Sequence, residues 1–231
     1  MKRALRIAAW LAVAAAGAFL ALQLAYLARV WWWKDHNPQV TAFMEARLEQ
    51  LRRRDPAAKL RYAWVPYDRI SPSVKRAIVV AEDSRFVDHE GFDWEAIEKA
   101  REKNARKGRI VAGGSTISQQ LAKNLFLSGE RTPWRKGQEA LITVMIEHVM
   151  DKRRILEIYL NVIEWGDGIF GVEAAARHYF GASSGSLGPE AAARMAAMVP
   201  NPRFYDRHRN TRFLERRTQT ILARMPQAEL P

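Results

Sequence analysis

A mainly α-helical domain carried by one N-terminal membrane helix is what this sequence predicts, and three observations predict it. Ile7 to Ala28 is a run of 22 residues without a charge, interrupted by a single amide, Gln23. Behind it, apolar residues recur at helical spacing after residues that cap helices. Strand-like alternation is scarce. The chain has 231 residues, 48% of them apolar and 10% aromatic, which excludes wholesale disorder and suits one domain plus an appendage. It has no cysteine, so disulfide scaffolds, thiolate zinc sites and cysteine nucleophiles are excluded.

The apolar run spans roughly 33 Å as a helix, enough for a hydrocarbon core of about 30 Å. It is too long for the apolar part of a cleaved signal peptide, about 7–15 residues. Lys2, Arg3 and Arg6 before it outweigh Arg29 and Lys34 after it, which places the N-terminus in the cytoplasm and the rest outside. Trp31, Trp32 and Trp33 are then expected at the headgroups. The net charge is +12, and residues 37–231 keep 32 Lys and Arg against 24 Asp and Glu. Such a surface favours anionic headgroups or phosphate-bearing substrates, and an exported domain is not expected to meet nucleic acid.

The elements follow in order. Thr41 to Arg54 reads as an amphipathic helix stopped by Asp55-Pro56. Pro66 and Pro72 bracket a turn, after which Val74, Ala77, Ile78 and Ala81 share one helix face that leads to Glu82. Asp93 caps a helix that ends near Lys107-Gly108, and Thr116 with Gln119 has capping-box spacing. Further helices are marked by Leu141 to Val149, Ile155 to Leu160, Val172 to Phe180 and Pro189 to Met198. The expected division is a cytoplasmic N-terminus at 1–6, a transmembrane helix at 7–28 and a juxtamembrane lead-in at 29–59. The main exported domain, expected at 60–205, and a basic C-terminal tail at 206–231 follow. Seven arginines between Arg203 and Arg224 suit either a membrane face or a solvated helix.

Four segments carry candidate chemistry. In EDSRFVDHEGFD (82–93), Glu82 sits at the edge of a buried helix face, where partial burial raises a carboxyl pKa and makes a base near neutrality. A helix end with solvated acids fits the local pattern too, and His89 reads as a hydrogen-bonded structural residue rather than a base or metal ligand. GGSTISQQLAKN (113–124) offers glycines and a helix start that suit an anion, with Lys123 two turns beyond Thr116. It is not a Walker loop, and an ordinary capped helix has the same spacing. Arg131, Arg135 and Lys136 surround Glu139, a group able to neutralise a diphosphate or to form a surface ion-pair network. KRRILEIYLN (152–161) pairs Ile155 with Tyr159 and Leu156 with Leu160, as core packing requires.

Each segment is weak alone, but their order and spacing together resemble the peptidoglycan glycosyltransferases, the lysozyme-like family that polymerises lipid II. EDSRFVDHEGFD is similar to the family's first motif and GGSTISQQLAKN to its second. RKGQE (135–139) is similar to the third, KRRILEIYLN to the fourth and GIFGVEAAARHYFG (168–181) to the fifth. The resemblance covers roughly residues 60–205. Ser118 stands where many members have threonine, and both carry a hydroxyl. No serine-x-x-lysine transpeptidase module follows, so the stand-alone, monofunctional form of Gram-negative bacteria is expected.

The resemblance implies a lysozyme-like fold and a role for each matching residue. Glu82 would be the general base that deprotonates the 4-hydroxyl of lipid II, with Asp83 assisting. Lys123, Arg131, Arg135 and Lys136 would hold the undecaprenyl diphosphate of the growing chain, and Glu139 would position them or the donor. Ser115, Thr116 and Gln120 would line the cleft. A divalent cation, Mg or Mn, would arrive with the diphosphate rather than in a protein-built metal site. The expected partners are lipid II, the nascent glycan, the bacterial inner membrane and, at family level, bifunctional cell-wall synthases and division proteins. A lysozyme-like glycan-cleaving enzyme would not need the cations around Glu139. A non-catalytic scaffold would not need both glutamates.

Overall fold

Side-chain oxygens start most of the helices. Thr41, Ser71, Asp93, Thr116, Thr132, Asp151 and Thr211 each accept a hydrogen bond from a backbone N–H of the first turn that follows. The fold is that of a computed structural model, which describes residues 1–109, 111–127, 129 and 132–231. In chain order the helices are α1 (Lys2–Asp35), α2 (Ala42–Arg52), α3 (Pro72–Glu82), α4 (Trp94–Lys107), α5 (Ile117–Phe126) and α6 (Pro133–Val149). They continue as α7 (Lys152–Val162), α8 (Val172–Phe180), α9 (Pro189–Met198), α10 (Pro202–Arg207) and α11 (Arg212–Arg224). Gly108 and Gly181, both at positive φ, end α4 and α8. The described residues are thus mainly α-helical.

Three short strands, β1 (Arg61–Tyr62), β2 (Glu164–Gly166) and β3 (Ile169–Phe170), form a sheet in the order β1-β3-β2. β1 runs parallel to β3, with Tyr62 opposite Phe170, and β2 runs antiparallel to it. Asn161 pins the incoming chain to this sheet by accepting from the Val65 N–H and donating to the Val65 carbonyl, both at 2.9 Å. Gly171 is at φ +81°, and an added Cβ there would lie 2.9 Å from the Asn161 carbonyl oxygen, so only glycine fits this corner.

One core joins all of this. α5 packs on α6, α7 and α2, while α3 packs on α9, which in turn packs on α11. Leu121, Ile142, Ile155, Tyr159, Phe170 and Trp165 are among the side chains fully enclosed there. The expected tail at 206–231 is part of this body: Leu214, Ile221 and Met225 are buried in the same core as α3 and α9. Arg212, Arg216 and Arg224 of α11 are exposed, whereas Arg217 reaches inward to the end of α3. The lead-in at 29–59 is likewise integrated, with Met44 buried and Arg47 held in a buried ion pair with Glu164 at 2.9 Å.

α1 is long and apolar enough to cross a membrane. It is longer than the expected span 7–28, because Arg29, Lys34 and Asp35 do not interrupt it. Its second half lies against the domain, where Val30 and Trp33 are buried and Trp33 meets the Phe126 ring at 5.1 Å. Of the three tryptophans expected at headgroups, Trp31 and Trp32 are exposed and Trp33 is not.

Candidate active site

The end of α3 and the start of α5 are tied together by one carboxylate. Asp83 ends α3 and accepts from the Ile117 N–H at 2.9 Å, the first turn of α5. It also accepts from His89 Nε2 at 2.9 Å; His89 Nδ1 accepts from the Gly91 N–H, which fixes the tautomer. Thr116 donates to the Gly91 carbonyl at 2.7 Å and closes a capping box with Gln119. Asp83 and Thr116 line the floor of a small cavity of about 170 Å³, but their polar atoms are taken up by these bonds. These bonds brace the end of α3 against the start of α5.

Glu82, the last residue of α3, opens into that small cavity. Burial pushes its carboxyl above the ordinary glutamate range, with the Gln120 hydrogen bond and the charges of Arg217 and Lys123 opposing the shift. Gln120 Nε2 donates to Glu82 at 3.0 Å, and Tyr159 Oη donates to Gln120 Oε1 at 2.9 Å. The tyrosine therefore sets which end of the amide faces the carboxylate. Arg217 of α11 approaches Glu82 from the other side at 3.5 Å.

Beyond Ser115 and Gln120 lies a larger cavity of about 410 Å³, which both residues line. Glu82 does not line it; Ser115 is exposed and borders both cavities. Lys123, Arg135, Lys136 and Arg203 face this space, with Glu139 and Glu164 as its carboxylates. Both oxygens of the buried Glu139 are occupied, one by Arg135 at 2.6 Å and the other by Lys136. Glu164 accepts from Arg47 and from the Gly168 N–H, and burial raises its carboxyl pKa. Burial chiefly lowers the Lys123 ammonium, against the charge of Glu139. Among the described residues the Lys123 ammonium makes no hydrogen bond and lies 6.0 Å from the centre of the Phe43 ring, and Arg135 Nε is a buried donor without a partner. A cation wall with spare donors and paired carboxylates has the chemistry to receive an anion with several oxygens. Arg131 lies outside the described residues.

The expected residues Glu82, Ser115, Gln120, Lys123, Arg135, Lys136 and Glu139 thus meet around two adjoining cavities. Sequence reasoning missed Arg217, Arg203, Glu164 and the hydroxyl of Tyr159. Tyr159 was legible as a core residue by its spacing from Ile155, but not as the partner of Gln120. The stripe of Leu214, Ile221 and Met225, with Thr218 between them, was the signal that α11 packs inward; nothing local marks Arg217.

Gly114 explains part of the glycine pair. A Cβ there would sit 2.8 Å from the Ile97 Cα of α4, whereas Gly113 has nothing within 4 Å. Gly114→Ala is expected to lower stability by about 1–3 kcal/mol through this overpacking, and Gly113→Ala to change it little. Thermal unfolding of the two variants checks the contrast. Among the described residues no group of three or more His, Cys, Asp or Glu is placed to hold a metal.

The family described as Transglycosylase matches residues 48–226. The chain is 62% identical over 214 residues to a protein of Chromobacterium violaceum, covering 93% of this chain and 94% of that one. It is 57% identical over 231 residues to a protein of Janthinobacterium sp. (strain Marseille), covering the whole of both. A protein of Nitrosospira multiformis is 63% identical over 200 residues, 87% of each chain. All three bear the name biosynthetic peptidoglycan transglycosylase.

Proposed function

Because the chain belongs to the transglycosylase family and is a peptidoglycan glycosyltransferase, we propose that it moves a growing glycan from its undecaprenyl diphosphate onto the 4-hydroxyl of lipid II. Glu82 takes the hydroxyl proton. The freed oxygen attacks the anomeric carbon as the bond to diphosphate breaks, so an α donor bond becomes a β-1,4 product bond. The negative charge that develops on the leaving diphosphate is stabilised by Lys123, Arg135 and Lys136. Ser115 borders both cavities and is suited to the sugar between acceptor and donor.

The observation that supports this reading most is the pairing of a buried, proton-seeking carboxylate with a wall of cations one cavity away. A divalent cation is proposed to come with the diphosphate. Glu139 offers it no free oxygen, since Arg135 and Lys136 hold both, and no step is assigned to it. α1 is proposed to cross the bacterial inner membrane with Lys2, Arg3 and Arg6 in the cytoplasm and the domain on the periplasmic side.

The pH dependence of polymerisation tests the role of Glu82. The rate is expected to rise with pH through an apparent pKa above the ordinary glutamate range, because only the ionised carboxylate accepts the proton. Gln120→Leu removes a donor that favours the ionised form, so the acid limb should move to higher pH. A rate that stays flat between about pH 4 and 8 would contradict the assignment.

A further inference from the structure

Gln23 is the one amide in the otherwise uncharged run from Ile7 to Ala28. In α1 it is 9% exposed, and its Nε2 donates to Gln138 Oε1 of α6 at 2.9 Å. It belongs to a stripe that docks α1 on the domain. Phe19 meets Trp134 at 5.9 Å, Tyr26 meets Phe126 at 5.1 Å, and Val30 and Trp33 are buried below. If Arg6 marks one membrane surface, Gln23 lies roughly 26 Å further on, still within a hydrocarbon core of about 30 Å. The pair leaves Gln23 Oε1 buried without a partner among the described residues, a cost that is kept where it has a use. Leucine would fill the same volume against α6.

Gln138 stands between Lys136 and Glu139, and Arg135 is one turn from Glu139 on the same helix. Aromatic contacts alone permit α1 to rotate or slide against α6, whereas two amides meet in only one register. We propose that Gln23 is a positioning residue for the transfer reaction. Through Gln138 it fixes the register of the membrane helix on α6, and so holds the Arg135, Lys136 and Glu139 turn at one depth relative to a lipid-carried diphosphate. The inference rests on the functional reading above.

The absence of cysteine allows a direct test with the full chain in lipid vesicles. A variant with Gln23→Cys and Gln138→Cys is treated with a membrane-permeant bifunctional thiol reagent about as long as the glutamine pair. Mass spectrometry is expected to find the peptides containing positions 23 and 138 joined. Before cross-linking, kcat for lipid II polymerisation should be roughly 3- to 15-fold below the unsubstituted chain, the range for one interhelical hydrogen bond in a membrane. Cross-linking should restore it, with KM unchanged throughout. Gln23→Leu alone should lower kcat by the same factor, which covers failure of the double variant to fold. Absence of the cross-link in a folded protein would overturn the docking. A cross-link with kcat unaffected by Gln23→Leu would overturn the positioning role. An unsubstituted chain that makes no polymer would instead overturn the functional reading, and the cross-link reports separately because it needs no activity.

Discussion

Glu82→Gln is expected to abolish glycan polymerisation while leaving the protein as stable as before, or more so. The loss should be about 10²- to 10⁴-fold, the usual contribution of a positioned general base. The stability side follows from linkage. Burial raises the native carboxyl above its unfolded value of 4.5, so the native state holds its proton more tightly than the unfolded chain does. Stability is therefore lost as pH rises through the window between those two values, and the cost persists at neutral pH. Glutamine carries no charge to desolvate and still accepts from Gln120. The 3.5 Å approach of the partly exposed Arg217 and the attraction of Lys123 are given up, together a smaller effect than the burial they offset. Thermal unfolding and turnover measured on the same preparation check this dissociation. A variant that loses both together would place Glu82 in the framework instead.

Glu139→Gln should behave in the opposite way and lose both. Glu139 is enclosed, and Arg135 beside it is only 15% exposed, so removing the negative charge leaves a half-sealed guanidinium uncompensated. Breaking a buried pair of this kind costs about 3–5 kcal/mol. For a domain of this size that corresponds to a fall in Tm of roughly 6–20 °C. Lys136, 49% exposed, should contribute little because solvent screens it. At temperatures where the variant is still folded, turnover should drop more than tenfold, since the cations proposed to hold the diphosphate lose their common anchor. The pair of variants separates a residue that reacts from one that holds the reacting groups' surroundings in place.

Local features of this fold were readable from sequence. Val172–Phe180 and Pro189–Met198 are helices with the bounds their patterns predict, and Thr116 with Gln119 closes the box their spacing predicts. Val74, Ala77 and Ile78 are buried, which leaves Glu82 at the margin of the core as their spacing requires. Contacts between distant segments were not readable. Glu82 and Arg217 are 135 positions apart, and Arg47 and Glu164 are 117 apart. Their meeting depends on α2 and α11 packing onto the central helices, which no local spacing encodes. The basic charge of 206–231 also masks Leu214, Ile221 and Met225, whose burial decides where α11 goes. For α1, counting uncharged residues located a span but not its docked face, since that face includes an amide and a tryptophan beyond the span.

Incubating lipid II and a divalent cation with the full chain, and resolving the glycan products by length on a gel, tests the central claim most directly. A ladder of progressively longer β-1,4-linked chains from the unsubstituted protein, and none from Glu82→Gln, is the predicted result. Shortening of preformed glycan, or equal ladders from both proteins, would contradict it.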